Sequence, residues 1–182
     1  AYDPVAFGNA QFIPDASKGL SKTENNEVVV WGEISKEHFI NVGSENFAFQ
    51  RINQKAQKLG ILGTHCKTEL NGVFYTLGRK INTSPGLYAV SLGNIQNIST
   101  RETDKILSTY ADDDLSSVTI DSFVDDDHSF VVYHLPNHTL MFNQTIAQQV
   151  GPNSAWTILK SDVKGDLPFR AKTYFRDPRI GK

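Results

Sequence analysis

A single cysteine, Cys66, stands in a chain of 182 residues, so no internal disulfide can form, and synthesis in a reducing compartment is expected. A lone thiol of this kind serves more often as a small buried apolar group than as a nucleophile. Long apolar runs are missing too: nothing approaches the ~20 residues that a membrane-crossing helix needs. The N-terminus, Ala1-Tyr2-Asp3-Pro4, has neither a starting Met nor the basic stretch and apolar core of a secretory leader, and the chain reads as a piece excised from something longer. Cations are not in excess, with 18 Lys and Arg against 20 Asp and Glu for a net charge of −2. That balance speaks against holding DNA by neutralising its phosphates. There is no Gly-rich phosphate loop, nucleophile elbow or dinucleotide fingerprint. Gly60-Ile61-Leu62-Gly63 reads as two glycines around the start of a strand.

What is present is an ordinary globular composition. Hydrophobic residues at 39%, charged residues at 21% and eleven Phe exclude a disordered chain. A chain of this length buries roughly 70% of its unfolded surface. The clearest organisation runs from Ser99 to Leu159. Ser99-Thr100-Arg101-Glu102 has the Ser and the Glu three residues on that satisfy free amides at a helix start, and Ile106, Leu107 and Tyr110 supply an apolar face. Strands follow at Val118 to Val124, Phe130 to Leu135, Thr139 to Phe142 and Ala155 to Leu159, each bounded by Asp, Pro, Asn or Gly. A four-stranded meander of this spacing is one blade of a β-propeller.

Two similar blocks precede it. Strands near Val28 to Glu33, His38 to Val42 and Asn46 to Arg51 form the first. Gly60 to Lys67, Val73 to Leu77, Leu87 to Leu92 and Ile95 to Ile98 form the second, with Asn53 to Lys58 as linker. The expected fold is all-β: a partial β-propeller of about three four-stranded antiparallel blades with one short inserted helix, all belonging to one domain. Its boundaries are a loop-rich N-terminal segment at 1–26 with a strand near Leu20, blades at 27–53, 60–98 and 118–160, the helix at 99–110, and the start of a further blade at 169–175. The continuous apolar run Phe130-Val131-Val132-Tyr133 implies burial on both faces, as in a blade between neighbours.

No constellation of side chains specifies chemistry. His134 and His138 are four apart with His128 nearby, but Pro136-Asn137 forces a turn between them, and no Cys pair or Glu sits at ligand spacing. Asp112-Asp113-Asp114 and Asp125-Asp126-Asp127 lack the alternation, Gly and distal Glu of a calcium loop, and read as solvated turns. A glycosidase would need paired carboxylates with one in an apolar pocket. Asp121 is the one acid in an apolar strand, and the alternation there turns it outward. The sequons at Asn82, Asn97, Asn137 and Asn143 are what chance supplies at this Ser, Thr and Asn content. Trp31 and Trp156 occupy strand positions suited to packing. Catalytic, cofactor and metal residues are therefore all read as none.

The residues also resemble a family. Ile98-Ser99-Thr100, Asp104-Lys105-Ile106-Leu107, Tyr110, Asp127-His128-Ser129-Phe130-Val131-Val132, the run from His134 to Asn143, and Trp156 are together similar to the packaged-DNA stabilisation protein of short-tailed phages. The likeness extends through Gly43 to Phe49, Gly63 to Thr68 and Gly72 to Gly78, and covers most of the chain from about Phe12. Asp127 stands where that family often has Gly, and the polar residues that commonly follow the Trp are missing. The resemblance implies a non-enzymatic virion protein, made in the bacterial cytoplasm and added to the tail hub after genome packaging. It implies closure of the channel below the portal, and partners among tail and portal proteins. A homo-oligomer is expected, with no cofactor, no sequence-specific nucleic-acid binding and no membrane association. The alternative is a carbohydrate-binding or glycoside-processing propeller, which would need solvent-facing aromatics and acids converging at one end.

Overall fold

The structure is a computed structural model that describes residue 10 and residues 12–43, 48–161 and 167–172. Strands β1 (Ser17–Lys22), β2 (Val28–Gly32), β3 (Lys36–Asn41) and β4 (Phe49–Arg51) make a first antiparallel meander. β5 (Lys67–Leu70), β6 (Val73–Gly78), β7 (Gly86–Ser91) and β8 (Asn94–Asn97) make a second. Helices α1 (Arg101–Leu107) and α2 (Asp112–Ser116) cross to the third sheet. That sheet holds β9 (Thr119–Asp125), β10 (His128–His134), β11 (Thr139–Asn143), β12 (Trp156–Ser161) and β13 (Leu167–Pro168), with α3 (Gln144–Val150) between β11 and β12. The chain is all-β with short helical connections, and the three sheets do not close a ring.

Turn chemistry sets the registers. Leu70 faces Val73 across Asn71-Gly72, and Asp125 faces His128 across Asp126-Asp127. The four turn residues have φ of 53°, 73°, 42° and 64°, as a two-residue hairpin of the primed type requires. The turn expected at Asp125 to Asp127 is therefore this hairpin.

Several expectations need correction. β1 is the strand expected near Leu20 and makes the first sheet begin at Ser17, ahead of the blade boundary at 27, while of the strand expected from Asn46 to Arg51 the part from Phe49 is β4 and Asn46 and Phe47 lie outside the described residues. The expected helix from Arg101 to Tyr110 ends at Leu107, and its cap is Thr100 rather than Ser99. Thr100 Oγ1 accepts from Thr103 N, while Thr103 Oγ1 accepts from Thr100 N. Ser99 Oγ instead accepts from Leu87 N at 2.8 Å, fastening the linker to β7. Asp112 to Asp114 are not a turn but the first turn of α2, where carboxylates face the positive end of the helix dipole. α3 was not foreseen, although Asn143 Oδ1 accepts from Ile146 N as its cap, and Gly151 at φ 94° with Pro152 stops it. The strand expected from Phe169 is instead β13, which pairs with β12; residues 169–172 form no strand and 173–175 lie outside the described residues.

The largest correction concerns Gly60 to Lys67. β5 starts only at Lys67, and residues 59–63 form an irregular buried spine where the three sheets meet. Gly60 N donates to Arg79 O, Ile61 N to Gly32 O and Leu62 N to Leu77 O, so the spine bonds to the first two sheets without joining a ladder. A Cβ at Gly60 would lie 2.1 Å from the Glu33 carbonyl carbon, and one at Gly63 would lie 1.8 Å from Ser116 O. A Cβ at Gly78 would reach Gly60 O at 1.9 Å. These glycines permit backbone to touch backbone. Beside them the Arg79 guanidinium bonds both Glu33 of the first sheet's β2–β3 turn and, at 2.7 Å, Asp112 of α2. One apolar cluster runs through the whole, from Val29 and Trp31 through Leu77, Leu87 and Val90 to Val131, Tyr133 and Leu140.

Candidate functional site

His128, His134 and His138 go to separate partners. His138 Nδ1 is 2.5 Å from the Tyr110 hydroxyl, which also accepts from Asn137 N at 3.2 Å, so the pair clasps the helical crossover to the β10–β11 hairpin. His128 Nδ1 lies 3.3 Å from Asn143 Nδ2. His134 is buried, and its Nε2 sits 3.7 Å from Asp121 Oδ2, while burial and then the nearby Lys172 push its pKa down. Among the described residues, no group of three or more His, Cys, Asp or Glu could hold a metal ion.

Cys66 is fully buried, and its thiol lies 3.3 Å from the carbonyl oxygens of both Leu115 and Val118, while burial pushes its pKa up to about 11. A thiol so placed ties the entry to β5 to the α2–β9 connection and is a poor nucleophile. Trp31 is fully buried, with its indole N–H on Ser21 Oγ at 3.1 Å and its ring edge-on to Phe74 across the sheet junction. Trp156 packs on Phe142 and Tyr133 with centroids 4.9 and 5.5 Å away. Both indoles are engaged in packing.

A buried charge cluster escaped the sequence reading. Lys36, Glu37 and His38 follow one another on β3 at 1%, 1% and 2% exposure, where a polar run would ordinarily face water. Glu27 Oε2 lies 2.9 Å from His38 Nδ1, and its other oxygen takes the Lys55 ammonium. Burial raises the Glu27 pKa, but the bonds from Lys55 and His38 outweigh it and leave the carboxyl below its ordinary value. Glu37 Oε1 accepts from Phe12 N at 2.9 Å and Oε2 from Arg51 at 3.2 Å. The Lys36 ammonium has no carboxylate within ion-pair distance among the described residues. It lies 5.3 Å from the Trp31 ring centroid and 5.6 Å from that of Phe74, and burial pushes its pKa down to about 8. Lys36, His38 and Glu27 sit in the joint between the first two sheets, whereas Glu37 and Arg51 lie on the opposite face of β3, and the only sequence signal was a charged run inside a strand.

The outer side of the first sheet has a different character. Pairing of Leu20 with Val30, Val28 with Phe39 and Asn41 with Phe49 puts these apolar side chains on one face, opposite to Val29 and Trp31. They line a groove of about 530 Å³, and Leu20 is 65% exposed. The inner face of the first sheet packs on the second sheet, while the outer face carries this groove beside the buried Glu37 and its Arg51 partner. Such a surface suits association with protein rather than catalysis.

Comparison with known proteins agrees with this geometry. The family described as Bacteriophage P22 Gp10, beta-propeller, matches residues 1–178. The tail hub protein gp10 of Salmonella phage P22 is 25% identical over 162 residues, covering 87% of this chain and 33% of the relative. The chain therefore spans about a third of the length of the curated relative that it matches.

Proposed function

The chain belongs to the family of bacteriophage P22 Gp10, a β-propeller, and from that premise we propose that it works as a run of blades in a phage tail hub. In this reading it is a virion structural component whose chemistry is interface chemistry. It closes the channel below the portal after genome packaging, docks other tail and portal proteins, and assembles as a homo-oligomer without catalysing a reaction. The observation that carries the reading is the family match through residues 1–178 on three consecutive packed meanders. The apolar groove on the outer side of the first sheet supports it as a surface for a neighbouring blade or subunit. With a net charge of −2, retention of DNA by plugging fits better than retention by phosphate neutralisation. No helix among the described residues is long and apolar enough to cross a membrane.

The test is add-back to heads packaged in the absence of this protein. Purified protein carrying this chain should co-sediment with the heads and render their DNA resistant to nuclease. Heads that bind none of it and still leak DNA would refute the proposal.

A further inference from the structure

We propose that the cleft between the second and third sheets, with Lys67 and Lys172 on its walls, binds one phosphate-class oxyanion. The cleft encloses about 660 Å³. Lys67 on β5 is one of its lining residues, and its ammonium is held in place on two sides. Lys67 Nζ donates to Thr64 O at 2.7 Å, and Thr64 Oγ1 in turn donates to Lys18 O at 2.9 Å. On the other side Nζ lies against Gly19 of β1, where a Cβ would come within 3.0 Å of it. The lysine therefore points where the backbone directs it, with two N–H groups left to donate. No carboxylate lies within ion-pair distance of it among the described residues, and burial pushes its pKa below the ordinary value.

The remaining lining extends the argument. Lys172 adds a second ammonium and Thr119 a hydroxyl, and His65 also lines the cleft. Asp121 is the one acid in the lining, and its carboxylate already sits 3.7 Å from His134 Nε2. Two cations on separate elements and a hydroxyl call for a ligand with at least three acceptor oxygens. A phosphate or pyrophosphate has them, whereas a carboxylate has two. The surplus of cations here contrasts with the net charge of −2 for the whole chain.

Calorimetric titration of the intact chain with pyrophosphate, in chloride buffer of matched ionic strength, tests the proposal. Saturable binding of one pyrophosphate per chain is expected, with acetate far weaker. Lys67→Met should weaken it about tenfold or more, since a charge-assisted donor is lost. Gly19→Ala keeps every charge but displaces the ammonium, and should weaken it severalfold at an unchanged melting temperature. Should Lys67→Met fail to fold, Gly19→Ala and Lys172→Met carry the test. A short DNA duplex separates the source of the phosphate. One contact predicts a loss of roughly fourfold in affinity between 50 and 200 mM salt, whereas six to ten contacts predict ~10³ or more. No binding beyond chloride, acetate equal to pyrophosphate, indifference to both Lys67→Met and Gly19→Ala, or the steep duplex slope would each overturn the single-oxyanion site.

Discussion

The indole N–H of Trp156 donates to the carbonyl oxygen of Ile98 across 2.8 Å, joining the first residue of β12 to the residue that follows β8. Ile98 is almost wholly buried, so its carbonyl has little water to fall back on. Trp156→Phe keeps most of the packing against Phe142 and Tyr133 and should cost about 1–2 kcal/mol through that orphaned acceptor. Trp156→Ala removes the packing as well and should cost about 3 kcal/mol. Denaturant melts followed by circular dichroism give both numbers. An unchanged midpoint in Trp156→Ala, with loss of binding to a glycan or a protein, would mean that the side chain belongs to a recognition surface.

Gly63 tests the spine. A methyl group there meets Ser116 O at 1.8 Å, backbone against backbone, and no rotamer change relieves it. Gly63→Ala should lose on the order of 3 kcal/mol or fail to fold. Gly93→Ala is the control, since Gly93 has φ 77° but nothing within 4 Å of the added carbon, so only the backbone conformation costs, about 1 kcal/mol. Equal melting temperatures for the two variants would show that the chain at Gly63 yields more easily than its contacts imply.

Lys36 makes stability depend on pH in a definite direction. Its pKa falls from 10.5 to about 8 on folding, so the fold disfavours the charged form. Below pH 8 the amine is charged in both states and the full cost is present. Between pH 8 and 10.5 the folded state has released the proton while the unfolded chain still holds it, so stability rises with pH through that window. Lys36→Met should stabilise the protein at pH 7 by about 2 kcal/mol, the lost attraction to the Trp31 and Phe74 rings offsetting part of the gain. The variant should also flatten the rise above pH 8. Destabilisation at neutral pH would instead make Lys36 a net contributor through Glu27.

Self-association follows from the apolar groove on the outer side of the first sheet. Light scattering of the 182-residue chain at micromolar concentration should report a symmetric dimer. Leu20→Glu, placed on that face at a 65% exposed position, should restore the monomer without lowering the melting temperature. A strictly monomeric and thermally stable parent chain would show that the three sheets satisfy their own faces.

The third sheet was legible because strong breakers punctuate it. Asp126-Asp127 and Pro136-Asn137 fix two hairpins, and strands read between them fall within a residue or two of β9, β10 and β11. The spine was not legible, because Gly60-Ile61-Leu62-Gly63 has the apolar look of a strand and its true partners are backbone atoms of residues 32, 77 and 79. A glycine needed for close approach looks in sequence like one needed for a turn. α3 carried its punctuation in Asn143 and Gly151-Pro152, but its polar face and short span gave no helical stripe. The Lys36 cluster failed for a different reason. Its partners Glu27, Arg51 and Lys55 come from three other places in the chain, and only the sandwiching of the sheet makes the charges internal.

The meander order also bears on how the molecule emerges from the ribosome. Every ladder among the described residues joins consecutive strands, so each sheet has these hydrogen-bond partners as soon as its own stretch has been synthesised. The contacts that cross between sheets, Trp31 on Phe74, Cys66 on Leu115 and Trp156 on Ile98, must wait for later residues. Because Gly63 needs Ser116 and Gly60 needs Glu33, the spine reaches its final place only after α2 has left the exit tunnel, and until then the apolar residues Leu59, Ile61 and Leu62 have no complete cover. The nascent chain therefore passes through an interval in which secondary structure is in hand and the central seam is still open to a chaperone.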